Sequence, residues 1–335
     1  MKRLEYLDQT KGVAILLMLF AHTGTGEAIN TWIFSFHMPV FFVISGILLY
    51  RKYGESQVMR GQFASAFRRR AFQLGIPYVV FCLVLTVFYS ALNLVSGQEL
   101  RVAFYLEKTV SLQGIDSLWF LPVYFLAEFL MLAFLRISNG RKLAVGATAA
   151  FAVLLSFFAD TMPRLQILRL LIKSAIGFAF VCLGYELERL KLLGKISVLL
   201  SITMLVCGAV LSHVNGFAAI GSLELGNGLL FFWDAALTST ALLSLLKKAE
   251  DNKTDNLKRL SYFGQNTIVI LCTNNLLIET VRLLDYKVTG DFLLRSGLAG
   301  SVFFTLLLIG MECGLIRLFS GKLSVLVGKM PKTAK

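Results

Sequence analysis

Lys11 and His22 stand eleven positions apart in an otherwise apolar stretch, Lys11-Gly-Val-Ala-Ile-Leu-Leu-Met-Leu-Phe-Ala-His22. At about 100° per residue, eleven steps make just over three turns. A helix therefore points both side chains the same way, roughly 16 Å apart along its axis. An ionisable group at bilayer depth is costly and is read first as a functional site. A neutral imidazole there serves as a general base if a polar cavity reaches it. Read alone, Lys11 also fits a snorkelling flank residue, and His22 a hydrogen-bonded histidine between helices.

Other candidates follow along the chain. His37 lies in Phe36-His-Met-Pro-Val-Phe-Phe-Val-Ile-Ser-Gly46, near the outer mouth of a span. The missing N–H of Pro39 falls in the first turn, and Ser45 with Gly46 lets a neighbouring helix come close. Arg68, Arg69 and Arg70 directly precede an apolar run. They either hold orientation against anionic lipid or bind phosphate, for which guanidinium offers a two-pronged fork. Asp116 and Trp119 mark an outer interface, where aromatic residues gather. Glu128 falls well inside the next span and needs a partner. Glu186, Asp234, Asn266, Asn274, Asn275 and Glu279 are further buried polar groups that the sequence does not pair.

The elements that must position these groups are membrane helices. The 335 residues are 56% hydrophobic and 16% charged, with a mean hydropathy of +0.72. Soluble domains carry nearer a quarter charged residues, and near-continuous apolar runs of about 17 to 25 residues read as helices rather than barrel strands. We count ten spans, at about 8–26, 31–50, 73–95, 117–136, 143–160, 166–187, 196–213, 225–246, 262–282 and 297–317. The expectation is an all-α polytopic protein of about ten transmembrane helices, with residues 1–335 forming one membrane-embedded domain and no separate soluble domain. An even span number puts both termini on one side. Placing 25 of the 33 Lys and Arg residues on that side and 6 on the other makes it cytoplasmic by the positive-inside rule. The net charge of +13 is thus topological and implies no nucleic-acid partner. The five cysteines sit singly in apolar runs without ligand spacing, so neither a disulfide framework nor a metal site is expected.

The Lys-x10-His spacing, the Phe-x-Met-Pro-x-Phe-Phe-x-x-Ser-Gly run and Leu118-Trp-Phe-Leu121 at the entry to the fourth span together resemble acyltransferase family 3, and within it the stand-alone sugar O-acetylases of the fucose 4-O-acetylase-like group. The resemblance covers the first 135 residues and the ten-span plan. It implies an inner-membrane O-acyltransferase that moves an acyl group, most often acetyl from cytoplasmic acetyl-CoA, to a hydroxyl of an O-antigen, exopolysaccharide or other envelope glycan, or of a lipid-linked sugar. By resemblance His22 is the catalytic histidine and Lys11 its basic partner. Lys11 with Arg68, Arg69 and Arg70 is implied as the acyl-CoA-binding set. His37, Ser45, Asp116, Trp119, Glu128 and Asn274 are the acceptor-side or supporting candidates. Where many relatives carry a late histidine, this chain has Asn274, which keeps hydrogen bonding and loses proton transfer. Acyl-CoA is expected as substrate, with no bound cofactor; the partners are the glycan or lipid-linked acceptor and membrane lipid, and a homodimer stays open. A transporter or flippase of an anionic or lipid-linked sugar, and a non-catalytic member of a polysaccharide assembly, are the alternatives.

Overall fold

The computed structural model describes residues 3–53, 59–137, 165–252, 257–290 and 297–330, and the expected span at 143–160 lies outside them. Twelve α-helices are described: α1 (Glu5–Ala21), α2 (Glu27–Phe36), α3 (Pro39–Tyr53), α4 (Met59–Val95), α5 (Val102–Val110), α6 (Phe120–Ile137), α7 (Gln166–Arg189), α8 (Val198–Asn215), α9 (Gly228–Asp251), α10 (Lys258–Gln265), α11 (Thr267–Thr289) and α12 (Gly297–Leu318). Among the described residues there is no strand beyond one isolated bridge, Ala219 to Glu224. Among the described residues, eight helical stretches are long and apolar enough to cross a membrane, with Glu27–Tyr53 as one of them. The protein is an all-helical, multi-pass membrane protein. Helices, like closed β-barrels, satisfy their backbone polar groups internally in hydrocarbon.

Helix α1 sits at the centre and packs on α2, α3, α9, α10, α11 and α12. Its closest neighbour is α10, and glycine makes that approach possible. A Cβ on Gly264 would lie 1.7 Å from the Asp8 carbonyl oxygen, and one on Gly12 would lie 2.1 Å from that of Leu260. The pair α3 and α7 meets the same way at Gly46, as its sequence context predicts; a Cβ there would stand 2.0 Å from the Val181 oxygen. Small residues that let backbones touch are the usual means of helix association in lipid.

Three expected elements are interrupted or extended. The span at 31–50 is two helices, with a turn at His37–Met38 before Pro39 opens α3. Proline fits the first turn of the second helix but has no N–H to continue the first. The span at 262–282 breaks at Asn266, which ends α10 and begins α11. In the third case the helix runs past its expected start. Residues 59–72, read as inner loop, continue α4 as one 37-residue helix that carries the arginine triplet. Pro77 lies inside that helix and removes the N–H that would bond the Gln73 carbonyl. Gly328, at φ +74°, covers this carbonyl so closely that a Cβ would come within 2.1 Å of its oxygen. The 3-10 turn Lys322–Val327 is thereby docked beside α4.

Candidate active site

Lys11, Ile15, Met18 and His22 follow one another at steps of four, three and four residues along one face of α1. They line two cavities in succession. Lys11 and Ile15 border the first, of about 310 Å³, and Met18 and His22 border the second, of about 380 Å³. Met38, at the α2–α3 turn, lines both. Each volume lies near the small end of the roughly 300–1,000 Å³ found for small-molecule sites. The shared face inferred from spacing is what the structure shows.

His22 caps the C-terminal end of α1 and is held there from two helices. Arg282 of α11 donates from Nη2 to the His22 carbonyl at 3.2 Å and from Nη1 to Glu279 at 2.5 Å. From α12, the Ser301 hydroxyl donates to the Thr23 carbonyl at 3.2 Å. Carbonyls at a helix end have lost their intrahelical donors, so a cation and a hydroxyl supply them here. The His22 ring places Nδ1 2.8 Å from the Met18 carbonyl oxygen. A carbonyl only accepts, so Nδ1 carries a hydrogen, and in the neutral ring the lone pair is then on Nε2.

His37 repeats this arrangement, with Nδ1 2.7 Å from the Ile33 carbonyl oxygen, and it lines the same second cavity. The Phe34 ring packs against both imidazoles, its centroid 5.3 Å from each. Two imidazoles, each with Nδ1 donating to a backbone carbonyl of its own helix, therefore face one chamber. Ser117 and Trp119 line the same chamber. The Ser117 hydroxyl has one hydrogen for two acceptors, the Leu271 carbonyl at 2.9 Å and Asn274 Oδ1 at 3.2 Å, and it accepts from Asn275 at 3.0 Å. Asn274 does not line the cavity. It lies behind the wall, its Nδ2 3.6 Å from the Met18 sulfur, and so supports Ser117 and Met18.

The first cavity gathers charge instead. Helix geometry separates the arginine triplet, since residues 100° apart cannot share one face. Arg70, with Gln73 and Leu74 a turn later, lines the cavity, whereas Arg68 and Arg69 are exposed. Arg70 Nη2 and the Ser45 hydroxyl both donate to Glu128 Oε1 at 2.5 Å, and the guanidinium lies 5.9 Å from the Tyr124 ring centroid. Ser45 is thus occupied in orienting Glu128, the buried carboxylate whose partner the sequence left open. Lys11 pairs with Asp8 at 2.8 Å, and Asp8 also takes Arg3 at 2.6 Å. A third cation, Lys329, reaches Asn266 Oδ1 at 3.3 Å and lines the same cavity. Sequence reading missed Lys329 because a basic tail carries no sign of where it docks. The one available signal was Pro77, which frees the carbonyl that Gly328 covers.

Asp116 stands apart from both cavities. It is exposed at the start of a 3-10 turn, Asp116–Trp119, and accepts the Tyr89 hydroxyl. Trp119 lines the second cavity from the end of that turn. Arg282 and Phe34, which anchor and face His22, were also not singled out. Neither has a sequence pattern that distinguishes it from other residues at span ends.

No solved structure matches the chain. Over 192 residues it is 25% identical to the nodulation protein NolL of Mesorhizobium japonicum, a match covering 53% of this chain and 46% of that protein. The chain thus spans about half the length of this relative. The family model described as acyltransferase domain matches residues 4–311, a range that takes in both cavities' α1 face and the Arg70–Glu128 pair, and this chain belongs to acyltransferase family 3.

Proposed function

We propose that the protein is a membrane O-acyltransferase in which acyl-CoA enters the Lys11 cavity from the cytoplasm and a sugar hydroxyl enters the His22 cavity from the opposite side. The observation that carries this reading is the run Lys11, Ile15, Met18, His22 past two cavities that share Met38. The polyanionic nucleotide of the donor stays at the basic end, near Lys11, Lys329 and the exposed Arg68 and Arg69. Its slender pantetheine arm extends along the α1 face toward Met38. Arg70 contributes less direct charge than its neighbours, because Glu128 already balances it.

In the reaction the acceptor oxygen attacks the thioester carbonyl carbon while its proton passes to His22 Nε2. The carbon–sulfur bond then breaks, and the coenzyme A thiolate leaves and takes up the proton. The tautomer enforced by the Met18 carbonyl supports this role, since it leaves Nε2 as the basic nitrogen. Family membership supports acyl transfer; acetyl as the group, an envelope glycan or lipid-linked sugar as the acceptor and the inner membrane as the location belong to the proposal. Membership alone does not carry function, so the site does.

The test is transfer of radiolabel from acetyl-CoA by purified full-length protein, combined with mass spectrometry of envelope glycans from cells with and without the gene. Loss of an acyl mass without the gene, and in cells carrying His22→Ala, is the expected result. Near-normal transfer by purified His22→Ala protein would remove His22 as the base. Solute uptake into vesicles with no label transfer would replace the enzyme by a transporter.

A further inference from the structure

A third cavity, of about 400 Å³, adjoins the His22 cavity, and Trp119 and Gly221 line both. Three cations face it: Lys108, Arg169 and Lys173. Lys173, inside helix α7, is only 5% exposed, and its ammonium sits 5.2 Å from the Trp119 ring centroid. Lys108 lies 4.7 Å from the Phe104 centroid, and Arg169 donates to the Ser222 carbonyl at 2.7 Å. Each cation is therefore held by an aromatic face or a neutral carbonyl, and none has an ion pair among the described residues. The two acids at this cavity, Glu107 and Asp116, take hydrogen bonds from Gln166, at 2.9 Å, and from Tyr89.

A buried ammonium keeps three N–H donors, and a ring face satisfies its charge only in part. Burying it without a counter-ion is costly. We infer that this cavity binds an oxyanion carried by the acceptor, a carboxylate or a phosphate, and that Lys173 is its main contact. The acceptor hydroxyl would then lie in the adjoining His22 cavity. The inference rests on the acyl-transfer reading for the word acceptor, while oxyanion binding itself needs no acyl donor.

Titration calorimetry on the full-length protein in detergent, without acyl-CoA, tests this with two probes, methyl glucuronide for the carboxylate and inorganic pyrophosphate for the phosphate. At least one should bind, and the tighter one identifies the source. Lys173→Met, which keeps length and apolar bulk, should weaken that binding by about ten-fold or more, the worth of one charge-assisted hydrogen bond. Lys287→Gln, an exposed cation elsewhere, should leave it unchanged. No binding by either probe, or equal binding by wild type and Lys173→Met, would overturn the site. The glycan whose acyl mass disappears without the gene should carry a phosphate or a uronic acid; loss from a neutral glycan would overturn the link to the acceptor. If no glycan changes mass, the acyl-transfer reading falls, and the titration still decides the oxyanion site.

Discussion

The Lys11 cavity and the His22 cavity share one helix face and one residue, Met38, yet they are built from opposite kinds of group. In the first, Lys11 and Arg70 are each tied to a carboxylate, Asp8 and Glu128, and Lys329 to an amide oxygen. In the second, two imidazoles each spend Nδ1 on a backbone carbonyl of their own helix and keep Nε2 for whatever enters. Fixed charge holds a large anionic substrate without changing state. A neutral imidazole is what can take up a proton. The difference divides binding from chemistry along a single helix.

The division is broken most sharply at His22. His22→Ala should lower acyl transfer by about 10²- to 10⁴-fold, the usual contribution of a positioned general base, while donor binding at the Lys11 cavity stays intact. Label transfer and acetyl-CoA titration on the same preparation separate the two, and parallel loss of both would merge the cavities into one site. Gly264→Ala attacks the frame instead. Its methyl must displace the Asp8 carbonyl, or α10 must retreat, at a cost of about 3 kcal/mol read from thermal unfolding in detergent. An unshifted melting temperature would show that α1 and α10 are not so close.

Glu128→Gln leaves Arg70 without its carboxylate. Because 34% of the Arg70 side chain is exposed, we expect a loss of about 2 kcal/mol, below the cost of breaking a fully buried pair. Freed from Glu128, Arg70 should also bind the donor more tightly, and a weaker donor affinity would mean that Glu128 itself orients the substrate. His37→Gln should have the mildest effect, about ten-fold on transfer, equivalent to one hydrogen bond. A loss as large as that of His22→Ala would make the two imidazoles a catalytic pair and change the reading of the second cavity.

The two histidines also show how far local pattern reaches. Period 3.6 was enough to put Lys11 and His22 on one face, because that requires only a helical stretch, and the structure adds Ile15 and Met18 between them. The same arithmetic separates Arg70 from Arg68 and Arg69, once α4 is seen to begin near Met59 rather than after the triplet. Of the ten spans expected from hydropathy, eight correspond to the candidate spans among the described residues, but hydropathy is blind to short breaks. A turn at His37–Met38 or a cap at Asn266 changes no average over twenty residues.

What this chain's sequence determined by itself is therefore its class and its axis. Long apolar runs demand helices in lipid, and one helix carries a cation and an imidazole in phase. Which residues meet across helices was decided only by the tertiary structure. Ser45, Arg70 and Glu128 come from three helices and converge on one carboxylate oxygen. Arg282 reaches the His22 carbonyl from 260 positions away, and Lys329 reaches the first cavity because Gly328 can lie against the Gln73 carbonyl. Such contacts depend on the rotation and depth at which helices pack. Those are set by close approach at glycine and by the pairing of buried polar groups, neither of which has a period along the chain.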